Sequence, residues 1–229
     1  MAAKAYSRSK LWAHYADVFN LLGGMPTNGD ARIDADCAIA LSFARNTIPD
    51  ALLPETRLLL DDRFKGNHLA MIEHLCARKF DAGGPNNAIG NIAEICLNKY
   101  HIPLIGQWEI PASICKRLGT RWLKEKLVRQ RLFCLWPPNR PAYRTLKVLE
   151  DAFEITQKQE WKRPVLLAHD YHLPRVAMLA RHFWPELIIG FPTITREFDL
   201  NAVQVLATCP PQWYMHEIKS RGHHFLHGW

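Results

Sequence analysis

Neither a Gly-x-Gly-x-x-Gly run nor a Gly-x-Ser-x-Gly elbow occurs in the 229 residues, and no glycine-rich phosphate loop follows the first predicted strand. A standard dinucleotide site, a P-loop and an α/β-hydrolase triad therefore fall in rank. Close cysteine pairs are missing too. Cys37, Cys76, Cys96, Cys115, Cys134 and Cys209 lie far apart, so no zinc or Cys-x-x-Cys redox motif is present, and none sits at a strand end beside a histidine. They read as reduced, mostly buried small hydrophobes. Long apolar runs are lacking as well. His14, Asp17 and Asn20 interrupt the stretch after the polar first ten residues, and nothing approaches the roughly 18 apolar residues of a membrane span. The expectation is a cytoplasmic protein with no membrane-spanning segment.

What is present is the composition of a folded globular chain. Hydrophobic residues make up 48% and charged residues 22%, without low-complexity segments. The length suits one domain. A net charge of +7 biases encounters toward anions such as phosphates, nucleic acid or acidic headgroups without choosing among them.

Short apolar runs alternate with helical periodicity. Residues 36–43, 102–110, 131–136 and 164–168 read as strands, the second with Pro103 at its start. Helices are predicted over 10–22, 68–80, 88–100, 113–130, 143–157 and 173–183, with a break at 81–85. Strand–helix alternation of this kind predicts an α/β fold with a mainly parallel sheet and helices on both faces. A fifth strand is expected near 187–191.

In such sheets ligands bind beyond the carboxyl ends of the strands. The residues at those ends are Ser42, Arg45 and Asn46; Gln107 and Glu109; Asn139 and Arg140; and His169, Asp170, His172 and Arg175. The last group is the sharpest. It leads into a helix with Pro174 in its first turn, where the helix dipole and a guanidinium can grip a phosphate or carboxylate while His172 moves a proton. Catalysis, where present, would use His172 with Asp170 or Glu109. The remaining residues Arg175, His169, Ser42, Arg45, Asn46, Gln107 and Arg140 would bind the ligand. The plainer alternative is that Asp170 caps the helix, His172 packs in the turn and Arg175 meets a surface carboxylate. Trp108 and Trp136 end predicted strands and could wall a pocket.

The run Val165-Leu166-Leu167-Ala168-His169-Asp170-Tyr171-His172-Leu173-Pro174-Arg175-Val176 resembles the last motif of the SanA/ElyC/YdcF-like family, an apolar strand followed by aromatic-His-apolar-Pro-Arg at a helix start. Residues 36–41 resemble its opening strand, 102–107 its second, and 131–145 its third strand and threonine-bearing loop. The family's glycine pairs are replaced by Ser42-Phe43-Ala44 and Gln107-Trp108, and the Glu-Asn that follows its threonine is absent after Thr145. The resemblance spans about residues 34–185. It implies a three-layer Rossmann-like domain with a site at His172 and Arg175, and a soluble counterpart of a family whose members often carry a membrane helix. Residues 10–22 and 186–229 would then be extensions packed on that core, within a single domain over 1–229.

The leading expectation is a small anionic ligand, nucleotide-like or phosphate-bearing, at the strand ends; a nucleotide-derived cofactor is compatible with it. Two alternatives stand beside it. One is a non-enzymatic adaptor that uses a basic helix over 113–130, with Arg117, Arg121 and Lys124 on one face and Lys116, Lys126 and Arg129 beside them, to contact nucleic acid or an acidic partner; a solvated face explains the same pattern. The other is a metal-dependent hydrolase using His169 and His172. The histidines at 216, 223, 224 and 227 are taken as part of a docked or frayed terminus rather than a metal site.

Overall fold

The structure is a computed structural model, and it describes residues 35–43, 67–77, 81–136 and 145–187. Four strands form one all-parallel sheet: β1 (Cys37–Ala40), β2 (Leu104–Gln107), β3 (Leu132–Leu135) and β4 (Pro164–Leu167), in the order β3-β2-β1-β4. Ala38 lies opposite Leu104 on one side and Val165 on the other, and Gly106 lies opposite Cys134. Pro103 sits just before β2, where its missing N–H costs no ladder bond, and its carbonyl accepts the N–H of Ala38 at 2.8 Å.

Six α-helices are described: α1 (His68–Cys76), α2 (Gly84–Asn98), α3 (Glu109–Leu118), α4 (Lys126–Arg131), α5 (Thr145–Lys158) and α6 (Leu173–Ala180). Side chains alternate across a strand, so each strand feeds two cores. Ala38, Ala40, Leu104, Val165 and Leu167 pack with Met71 and Leu75 of α1, Ile89 and Ala93 of α2, and Ile114 and Cys115 of α3. Cys37, Ile39, Ile105 and Leu166 pack with Val148, Leu149 and Ala152 of α5 and Val176 and Leu179 of α6. This is the three-layer Rossmann-like α/β architecture expected, with strands buried on both faces and correspondingly apolar throughout. At the amino ends of the strands, Asp36 Oδ2 accepts the backbone N–H groups of Lys162 and Arg163 at 2.8 and 2.9 Å, tying the start of β1 to the start of β4.

Three boundaries differ from expectation for physical reasons. Helix α2 begins at Gly84, inside the stretch read as a break, because Pro85 is well suited to the first turn of a helix. Strand β2 ends at Gln107, and Glu109 already lies in the first turn of α3. This sharp return brings Pro111 against the strand: a Cβ on Gly106 would stand 3.1 Å from Pro111 Cδ, so a side chain there would need Pro111 to give by a few tenths of an ångström.

The single basic helix expected over 113–130 is not one element. It ends at Leu118, Gly119 takes φ +83° as its C-cap, and a 3-10 turn (Trp122–Lys124) and the short α4 follow. The six basic side chains therefore share no continuous helical face, and Arg117 and Lys124 pair with Glu94 and Glu73. Among the described residues no helix is long and apolar enough to cross a membrane. The predictions at 10–22 and 188–229, including the greater part of the fifth strand and the terminal histidines, fall outside the described residues; Leu187 is not in a strand.

Candidate functional site

The carboxyl ends of β1, β2 and β4 are knitted together by side chains. Beyond β1, the N–H of Ser42 donates to Gln107 Oε1 at 3.1 Å, joining the first strand to the second. One residue on, the N–H of Phe43 donates to Asn86 Oδ1 at 2.7 Å, while Asn86 Nδ2 donates to the carbonyl of Ala82 at 2.6 Å. Asn86 is fully buried in the first turn of α2, so these bonds bring the start of that helix to the strand ends. Ahead of that helix, the N–H of its N-cap Gly83 donates to Asp81 Oδ1 at 3.0 Å.

Phe43 also reaches β4. Its ring stacks on His169 with centroids 3.7 Å apart and planes 10° from parallel, and His169 in turn stacks on Tyr171 at 5.7 Å. His169 organises the turn that follows. Its carbonyl accepts the N–H groups of His172 and Leu173 at 2.8 and 2.9 Å, and its Nδ1 accepts that of Tyr171 at 3.2 Å. An accepting Nδ1 carries no proton, which leaves the neutral ring protonated on Nε2.

The amides of Tyr171, His172 and Leu173, at the entry to α6, are thus turned inward onto His169, and Pro174 has none. The N-cap is His172, whose own side chain makes no cap bond. An anion here would be gripped by side chains more than by helix amides.

His172 and Arg175 lie three residues apart at the start of α6, on one side of the helix. His172 Nε2 is 3.2 Å from the hydroxyl of Thr145, the first residue of α5. Glu109 sits on the opposite flank, toward β3: its charge, after burial itself, pushes the Cys134 thiol up. His169, Asp170, His172, Arg175 and Glu109 are all buried.

The rim therefore gathers Ser42, Gln107, Glu109, His169, Asp170, His172 and Arg175 at the same end of the sheet, with Glu109 nearest β3 and the histidines nearest β4. Arg45, Asn46, Asn139 and Arg140 lie outside the described residues. Trp108 and Trp136 pack against each other, centroids 5.3 Å apart, at the ends of β2 and β3. For the metal alternative, the Nδ1 lone pair of His169 is committed to Tyr171, and no group of three His, Cys, Asp or Glu side chains among the described residues is arranged to hold an ion.

Sequence reasoning missed Phe43, Asn86 and Thr145. Asn86 left a local signal, since Gly83-Gly84-Pro85 followed by polar residues is itself a helix-start pattern, and the resemblance marked Thr145 without giving it a role. The fold and this rim define an α/β domain of the doubly wound kind. Comparison with protein-family models, curated proteins and solved structures finds no match to the chain.

Proposed function

We propose that the carboxyl-end rim binds a small anionic ligand, nucleotide-like or phosphate-bearing, with Arg175 as its charged anchor and His172 as the group that moves a proton. One observation carries the reading. Eight polar or charged side chains are buried among the described residues, and six of them, Asn86, Glu109, His169, Asp170, His172 and Arg175, belong to this one edge. The other two do ordinary helix packing: Ser113 bonds Asn87, and Thr156 bonds Trp184 and Phe153. Burying a polar group costs roughly 1–3 kcal/mol unless it is compensated, so chance does not concentrate such groups at a single edge.

A guanidinium supplies bidentate, charge-assisted bonds to phosphate or carboxylate oxygens. His172, held by Thr145 and flanked by Asp170, has the chemistry for acid–base work near neutral pH.

Thermal-shift titration of the full chain with inorganic phosphate, nucleotides and sugar phosphates tests the reading. The expected result is a concentration-dependent rise in Tm with at least one of these probes. Arg175→Ala should weaken that probe by roughly 10- to 150-fold, equivalent to the loss of a charge-assisted bond, while Arg175→Lys retains part of it. Equal affinity in folded wild-type and Arg175→Ala protein would reject the assignment.

A further inference from the structure

We propose that Cys76 and Cys115 form a reversible disulfide, a redox-modification site that joins α1 to α3 away from the rim. Cys76 is the last residue of α1, and its Sγ lies 3.4 Å from the carbonyl oxygen of Ala112 on α3. Cys115 stands three residues further along α3. Side chains on a helix lean toward its amino end, so the Cys115 side chain is laid back over the turn of Ala112 that Cys76 already touches. Both thiols are reduced, and each perturbs the ionisation of the other.

The surroundings select this pair over the other described thiols. Cys76 draws the Cys115 thiol below its usual range, and Cys115 together with burial holds Cys76 above its own. Lys116 beside Cys76 favours a thiolate there and Glu73 opposes it. Cys37, Cys96 and Cys134 are buried, out of reach of a soluble disulfide. Cys76 is partly exposed whereas Cys115 is buried, which sets the order of events.

The oxidant is a low-molecular-weight disulfide. The Cys76 thiolate attacks it, forming a mixed disulfide and releasing one small thiol. The Cys115 sulfur then attacks the Cys76 sulfur and releases the second. The protein loses two thiol hydrogens and two electrons, and the small disulfide is reduced to two thiols. Cys76 ends α1, where the dipole disfavours a thiolate, and its thiol is held above the usual range, so the exchange is expected to follow redox poise rather than to respond rapidly to peroxide.

The test uses the full chain, equilibrated in glutathione buffers of graded ratio, then denatured, alkylated and analysed by mass spectrometry. Of the six cysteines in the sequence, two should escape alkylation under oxidising conditions, and peptide mapping should place one cross-link between residues 76 and 115. Dithiothreitol should restore all six. Cys76→Ser and Cys115→Ser should each abolish the cross-link, and the wild-type map decides the matter if either variant fails to fold. Full alkylation after oxidation, a glutathione adduct that stops at Cys76, or a cross-link that instead engages Cys209 would overturn the proposal.

Discussion

The Phe43 ring lies face to face on the His169 imidazole, 3.7 Å between centroids, and this stack joins the ends of two adjacent parallel strands above the sheet. Phe43 is 2% exposed, so truncation both opens a cavity and removes the surface that fixes the imidazole plane. Phe43→Ala should cost about 3–5 kcal/mol, and Phe43→Leu clearly less because it refills most of the volume. Urea denaturation of the two variants gives the comparison, and equal midpoints would show that the ring bears no structural load.

Asn86 serves one donor and one acceptor of the backbone at once. Asn86→Ala would leave the Phe43 N–H and the Ala82 carbonyl without it, at a cost of about 2–4 kcal/mol. Asn86→Asp is the sharper probe. A carboxylate there would face the Ala82 carbonyl, so its folded pKa would be raised above its unfolded value of roughly 4. The folded state then holds more protons than the unfolded one, and stability should fall as pH rises from about 4. Denaturation midpoints at pH 4 and 7 check this, and a pH-independent difference from wild type would contradict it.

Burial pushes the Cys37 thiol up to about 12, with the charge of Asp36 adding to it, and burial likewise pushes Cys96 up to about 12. An unfolded thiol ionises near 9. Below that pH neither state is ionised and the thiols are neutral to stability. Between 9 and about 12 the unfolded chain releases protons that the folded chain keeps, so stability is lost as pH rises through that window. The slope should be roughly 1.4 kcal/mol per pH unit for each thiol. Denaturation of wild type and Cys37→Ala/Cys96→Ala between pH 8 and 11 measures it; identical slopes would argue against suppressed ionisation.

Trp184 Nε1 donates to Thr156 Oγ1 at 3.0 Å, and that hydroxyl donates to the Phe153 carbonyl at 2.9 Å. Thr156→Val keeps the shape but strands a buried indole N–H, at about 1–3 kcal/mol. Adding Trp184→Phe removes the stranded donor, so the double variant should lose less than the sum of the singles. Strict additivity in a double-mutant cycle would mean that the bond contributes nothing.

The strands were legible to within a few residues because each is a short, mainly apolar run, which a sheet covered on both faces demands. Once the strands are parallel, the position of His169, His172 and Arg175 on a common edge with Gln107 and Glu109 follows from chain direction alone. The basic stretch was overrun because charge periodicity continues past Gly119, whereas the backbone there takes a positive φ. Asn86 and Thr145 were not legible as site residues. Their partners, Phe43 and His172, lie 43 and 27 residues away, and a contact of that kind belongs to tertiary packing rather than to any local pattern.

Strand β1 is central, yet one of its two neighbours is the last strand described, and the Asp36 anchor is closed by an amide 127 residues downstream. During synthesis, one side of β1 must therefore wait with its amides and carbonyls bare until the chain has been made beyond Leu167. A nascent chain stalled before that point would offer an open strand edge to other polypeptides, and ribosome-bound intermediates of this protein should lean on chaperones until β4 emerges.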